Sequence, residues 1–128
     1  MNTKCKIALA VVVGAGLGAA AVQGLHAQAK PKAYTVTEIE VIDLAAANAY
    51  GQLVTPRINA NGGHSLNTAG GKIVGIVGAA PPTRVAINEW NSLEQAQAFY
   101  NSSAWKDLAP QRDKAQKIIR LYAVEAVQ

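Results

Sequence analysis

Glu89, Tyr100, Ser102 and Arg112 are the side chains whose types and spacing can be turned to chemistry in this sequence. Glu89 lies near the end of the β-prone run Val85 to Trp90. Partial burial there would raise its pKa and poise it for proton transfer, which makes it the candidate catalytic residue. An ordinary ion pair with Arg112 or Arg84 is the competing account of the same carboxylate, since such pairs perturb pKa values without doing chemistry. Tyr100, Ser102 and Arg112 offer hydroxyls and a forked guanidinium, a donor set suited to a carboxylate or phenolate. Against that, Tyr100 falls on an apolar helix stripe and Ser102 fits a helix-end cap. Tyr34 and Arg120 complete the expected ligand-binding set, for a reason that comes from the strands below.

Other chemistries have less support. The chain contains two histidines, His26 and His64, and only His64 lies outside the N-terminal apolar segment. A general base needs an orienting partner, and none accompanies His64 in the sequence. One histidine without cysteine builds no usual zinc site unless two copies of His64 meet across a dimer, so no metal site is assigned. Gly14 to Ala19 imitates a dinucleotide fingerprint but follows no strand. No residue pattern calls for a cofactor. Glu38 and Glu40 share a strand face and read as a solvated or dimer-edge pair.

Half of the 128 residues are hydrophobic, enough for one domain with a core, but they are not evenly spread. Residues 1 to 29 have the anatomy of a secretory signal. Lys4 and Lys6 precede the apolar run Ile7 to Val22, and Ala27-Gln28-Ala29 supplies small residues for cleavage after Ala29, or after Ala27. An uncleaved anchor is the competing account, because Ile7 to Leu25 nearly reaches the about 20 residues that span a bilayer. The expected localisation is therefore periplasmic or secreted, with a membrane partner only if the segment stays attached. Taking Lys4 and Lys6 from the 12 basic residues leaves ten, against eight acidic ones. That near balance, without a basic stripe, argues against nucleic acid. Cys5, the single cysteine, lies inside the signal segment, so residues 30 to 128 hold no thiol or disulfide chemistry.

Eight segments must position these residues. Ala33 to Ile42 reads as a first strand, with Asp43 as the N-cap of a helix over Leu44 to Asn61 that Pro56 should kink and Gly62-Gly63 should close. His64 to Asn67 and Lys72 to Val77 read as two short β pieces around a glycine turn. The strand Arg84 to Trp90 follows, then a helix over Leu93 to Tyr100 with Ser92 and Gln95 as a capping box. A second helical piece over Trp105 to Ala115 leads into a last strand, Lys117 to Val127. The order β-α-β-β-α-β is an α+β, ferredoxin-like antiparallel sheet with both helices on one face.

The opposite sheet face would be bare, and exposed apolar sheet surface of that extent signals association, so a homodimer is expected. Strand alternation assigns Ile39, Val41, Ile119, Leu121 and Ala123 to the helix side. Tyr34, Glu38, Glu40, Arg120 and Tyr122 then line the open face, where a cavity between sheets would hold a small organic molecule.

The run Asn88-Glu89-Trp90-Asn91-Ser92-Leu93-Glu94-Gln95-Ala96, then Phe99-Tyr100-Asn101-Ser102, then Leu108 to Arg112, resembles the domain-of-unknown-function family numbered 1330. The resemblance continues in Tyr34, Asp43, Tyr50, the Pro56 region and Gly62-Gly63. It implies a dimeric α/β barrel, a superfamily that includes cofactor-free monooxygenases, haem-handling proteins and other small-ligand enzymes and binders. The family's own activity is not established. This sequence departs from the family pattern at His64, where an Arg or Lys is common, and at Ser102-Ser103-Ala104-Trp105, where Ser-Pro-x-Tyr is common. Two functions remain open: small-molecule chemistry of a cofactor-independent oxygenase or isomerase type, or a non-catalytic periplasmic binding or assembly module. The position of Glu89 separates them, since a carboxylate buried beside a cavity with Arg112 favours the first and a closed surface ion pair favours the second.

Overall fold

The computed structural model describes residues 30–127, so the signal and cleavage-site assignments on residues 1 to 29 lie outside the described part. The chain from Pro31 onward forms one compact unit. Strand β1 (Ala33–Val41) runs into helix α1 (Leu44–Ala60), followed by the short strand β2 (Gly63–Ser65) and strand β3 (Arg84–Trp90). Three helices, α2 (Leu93–Tyr100), α3 (Ser103–Lys106) and α4 (Ala109–Ala115), precede strand β4 (Gln116–Glu125). The sheet order is β2-β3-β1-β4 and every pairing is antiparallel, which is the ferredoxin-like arrangement.

Local chemistry explains the element boundaries. The Asp43 carboxylate accepts from the Ala46 amide at 2.8 Å, satisfying one orphan donor at the start of α1. Pro56 lies inside α1 without ending it, and Gly62 closes the turn at φ +85°, a conformation that only glycine adopts without strain. At α2 the Ser92 hydroxyl accepts from the Gln95 amide at 3.1 Å. The Gln95 side chain reaches back to the Asn91 amide, one residue earlier than in a standard capping box.

Two sequence expectations are corrected. Of the two β pieces expected between His64 and Val77, the second does not form among the described residues, because the Thr68 hydroxyl takes over the edge pairing. It donates to the Val85 carbonyl and accepts from the Ile87 amide, so a side chain extends β2 where backbone was expected. Lys72 to Val77 then runs outside the sheet, with Ile76 and Val77 fully exposed. The second correction concerns β4. Its register against β1 shifts between Glu38 and Ile39, so that Ile118 opposes Ile39 while Leu121 opposes Thr37. This bulge turns the helix-facing position from Ile119, as alternation predicts, to Ile118. Ile119 is 47% exposed and lies beside Glu38 and Arg120.

The core lies between sheet and helices in two clusters. Ala47, Tyr50, Leu108 and Ala115 pack at one end. Ile58, Trp90, Ala96 and Phe99 pack at the other, with the Trp90 and Phe99 ring centres 5.2 Å apart. Burying such large apolar side chains supplies roughly 1.5 to 3 kcal/mol each, which is what ties α1 and α2 to the sheet. The Trp90 indole also donates to the Thr35 hydroxyl at 3.0 Å, so its polar edge is satisfied inside the core.

Candidate functional site

The sheet divides the sequence-derived candidates between two sides. On the open face, register places Glu89 of β3 opposite Tyr34 of β1 and opposite His64 of β2. Glu89 does not meet Arg112 or Arg84. It closes an ion pair with Lys32, and the hydrogen bond from Lys32, followed by that residue's charge, holds the Glu89 carboxyl below the usual carboxylate value. Burial works the other way but is outweighed. Glu89 is therefore a surface ion-pair member in this structure, without the raised pKa expected from the sequence.

Arg120 occupies the same open face. It grips Glu38 with two parallel hydrogen bonds of 2.7 and 2.8 Å, a forked geometry that the opposed register positions of the two residues make possible. The pairing lowers the Glu38 pKa and raises that of Arg120. Tyr34 borders these pairs, next to Glu89 across one strand gap and Val124 across the other.

The remaining candidates lie on the helix side. Arg112 is buried, its guanidinium carbon 3.7 Å from the centre of the Trp105 ring, and it donates to the Trp105 carbonyl at 3.1 Å. That geometry clamps α3 to α4 through a cation–π contact. The Ser102 hydroxyl donates to the Phe99 carbonyl at 2.6 Å, a local bond at the end of α2. Tyr100 stacks edge-on against Trp105 at 5.3 Å, and its hydroxyl lies 3.3 Å from Thr35 Oγ1. Burial pushes the Tyr100 phenol up, partly offset by hydrogen bonding to Thr35 and Asn88.

Tyr100 also borders a hollow that the sequence reading placed on the other side of the sheet. Between sheet and helices lies a cavity of about 90 Å³, lined in part by Tyr50, Arg84, Asn88, Tyr100 and Gln116. Its origin is visible in α1. Ala47, Gly51, Val54 and Ile58 form one stripe facing the sheet, and a Cβ added at Gly51 would meet nothing within 4 Å. Small residues at two successive positions of that stripe leave space that a larger side chain would fill. An open groove of about 520 Å³ outside α1 shares Ala47, Gly51, Thr55, Ser65, Ala69 and Arg84 with the cavity and gives it a mouth.

The polar walls of this hollow carry unused capacity. Gln116 is 6% exposed and Tyr50 is 7% exposed, yet neither side chain has a hydrogen-bond partner among the described residues. No buried side-chain polar atom there is both sealed and unpaired, so these groups keep access to the hollow or its mouth. Arg84, Asn88 and Gln116 are missing from the sequence-derived set. Splitting β3 by alternation would have found two of them, since Arg84, Ala86, Asn88 and Trp90 share one face, and two polar residues beside a core tryptophan mark a polar gap in the core. No group of three or more metal-binding side chains occurs among the described residues. No described helix is long and apolar enough to cross a membrane.

Comparison with other proteins is consistent with this architecture. None of the curated proteins matches the chain. Among solved structures, the chain is similar to RPA0582, a protein of unknown function from Rhodopseudomonas palustris, with a TM-score of 0.62 and 15% identity over 77% of this chain and 85% of that one. The methylated form of RPA0582 gives a TM-score of 0.60 and 15% identity over 77% and 83% of the two chains. Both share the fold. The family described as a domain of unknown function, DUF1330, matches residues 32–127, and the chain belongs to that family.

Proposed function

We propose that this protein is an exported, homodimeric binding module, and that it holds a small organic molecule in the hollow between sheet and helices without acid–base catalysis. The observation that carries the binding reading is the pair of buried polar side chains, Gln116 and Tyr50, that line the hollow without a protein partner. Their polar atoms are not sealed off but keep access to the hollow, where they are available to pair with the polar atoms of an entering molecule. The non-catalytic reading rests on Glu89. Its closed pair with Lys32 lowers its pKa and leaves it a poor proton acceptor near neutral pH.

The homodimer reading rests on the open face. Val36, Ile87 and Val85 line it together with Tyr122 and Val124, which are 49% and 54% exposed. The charges beside them are already neutralised as Glu38–Arg120 and Lys32–Glu89, so a second copy would bury them as pairs. Export rests on residues 1 to 29, and the first residue of the secreted protein is then Lys30. Light scattering of the purified protein tests the assembly. A dimer that Val36→Glu converts to a folded monomer is the expected result, whereas a monomeric wild type refutes the assembly. A thermal-shift screen of small organic molecules tests the hollow. Stabilisation that disappears in Gly51→Leu is expected, and stabilisation indifferent to that plug refutes the site.

A further inference from the structure

We propose that the molecule held in the hollow is a small organic carboxylate, with Arg84 as the residue that receives the carboxylate. The inference rests on the reading of the hollow as a binding site and adds the chemical class of its occupant.

Arg84 is only 9% exposed. Its Nη2 donates to the Asn48 side-chain oxygen at 3.2 Å, and no carboxylate lies within ion-pair distance among the described residues. A guanidinium carries five N–H donors and one permanent charge. That charge is only partly withdrawn from water, its unpaired N–H groups keeping access to the hollow and its mouth, and charges so placed are ordinarily paired. The other two guanidinium groups discussed above illustrate the rule. Arg120 is held by Glu38, and Arg112 is covered by the Trp105 ring. Arg84 has one neutral amide.

The surroundings leave Arg84 to set the local field. It is the sole charged side chain among the residues lining the hollow, and again among those lining the groove at its mouth. The low-dielectric walls therefore present one positive charge to an entering molecule, and a carboxylate matches the forked donor pair better than a monatomic anion does. Ile39, Val54, Ile118 and Leu121 also line the hollow, and this apolar surface suits a hydrocarbon tail. Size limits that tail. A cavity of ~150 Å³ is known to take the six carbons of benzene, so one of about 90 Å³ accepts roughly four non-hydrogen atoms, the length of a short carbon chain whose carboxylate lies towards the mouth.

Butyrate and butyramide have the same shape and differ in charge, so isothermal titration of the full chain with each separates the two claims. Butyrate binding at least tenfold more tightly than butyramide is the expected result. Arg84→Met should abolish that preference while leaving butyramide binding in place, and Arg84→Lys should retain part of it. If Arg84→Met does not fold, raised ionic strength and Arg84→Lys still report on the charge. Equal binding of the two probes overturns the carboxylate proposal and leaves the binding reading intact. A preference that survives Arg84→Met overturns the role of Arg84. Binding of neither probe overturns both readings.

Discussion

Gly51→Ala should make this protein more stable, and the size of the gain follows from its position on α1. Glycine within a helix costs about 1 kcal/mol relative to alanine, largely because the unfolded chain has more freedom to lose. An added Cβ normally incurs a steric penalty in a packed stripe, but here it meets no heavy atom within 4 Å. The new methyl group points into the hollow, where partial burial contributes up to ~0.8 kcal/mol more. The expected gain is therefore about 1 to 2 kcal/mol. For a domain of ~100 residues each kcal/mol moves Tm by about 4 to 8 °C, so the shift is readily measured. Urea denaturation followed by circular dichroism gives the free energy, and an unchanged slope confirms that the unfolded state is the same. A loss of stability in Gly51→Ala would mean that the stripe is already filled, and the hollow would fall with it.

Three further outcomes follow from the same contacts. Arg112→Met removes a buried cation–π contact and a charged hydrogen bond to the Trp105 carbonyl, and should cost about 2 to 4 kcal/mol by urea denaturation without altering ligand affinity. The raised Tyr100 pKa means that the folded protein holds its phenolic proton more tightly than the unfolded chain. Its contribution is present below pH 10 and is lost as pH rises above that value, and Tyr100→Phe should flatten the alkaline limb of the stability profile. Glu38 and Glu89 are shifted the other way by Arg120 and Lys32. Their contribution is present above pH 4.5 and is lost as pH falls through their lower folded values. Glu38→Gln should therefore shrink the acid limb, and added salt should shrink it further.

Much of the fold was legible because it depends on short-range patterns. Asp43, Ser92 and Gly62 mark helix ends through capping and backbone chemistry, and each does so where the sequence indicates. The alternation of β1 correctly put Ile39 and Val41 towards the helices. Ile118 and Ile119 were exchanged because a bulge depends on the partner strand, which a single strand's alternation does not reveal. Thr68 was unreadable for a similar reason, since its hydroxyl finds Val85 and Ile87 only after the chain has folded back.

The candidate site was legible only in part. Tyr100 does border the hollow, but Glu89, Tyr34 and Arg120 lie across the sheet from it. Glu89 drew attention as a carboxylate at a strand end, while the feature that disarms it, Lys32, lies 57 residues away in the sequence. The hollow itself results from an absence, the missing side chain of Gly51, and such a gap becomes visible only against the sheet it faces.

Nuclear magnetic resonance of the side-chain N–H groups during a butyrate titration tests the central claim most directly. The account predicts that the Gln116 amide and the Arg84 Nε–H shift together and saturably, while signals from Tyr34, Glu89 and Arg120 on the open face stay in place. Saturable shifts confined to Tyr34, Glu89 and Arg120 would put the ligand on the other side of the sheet and contradict it.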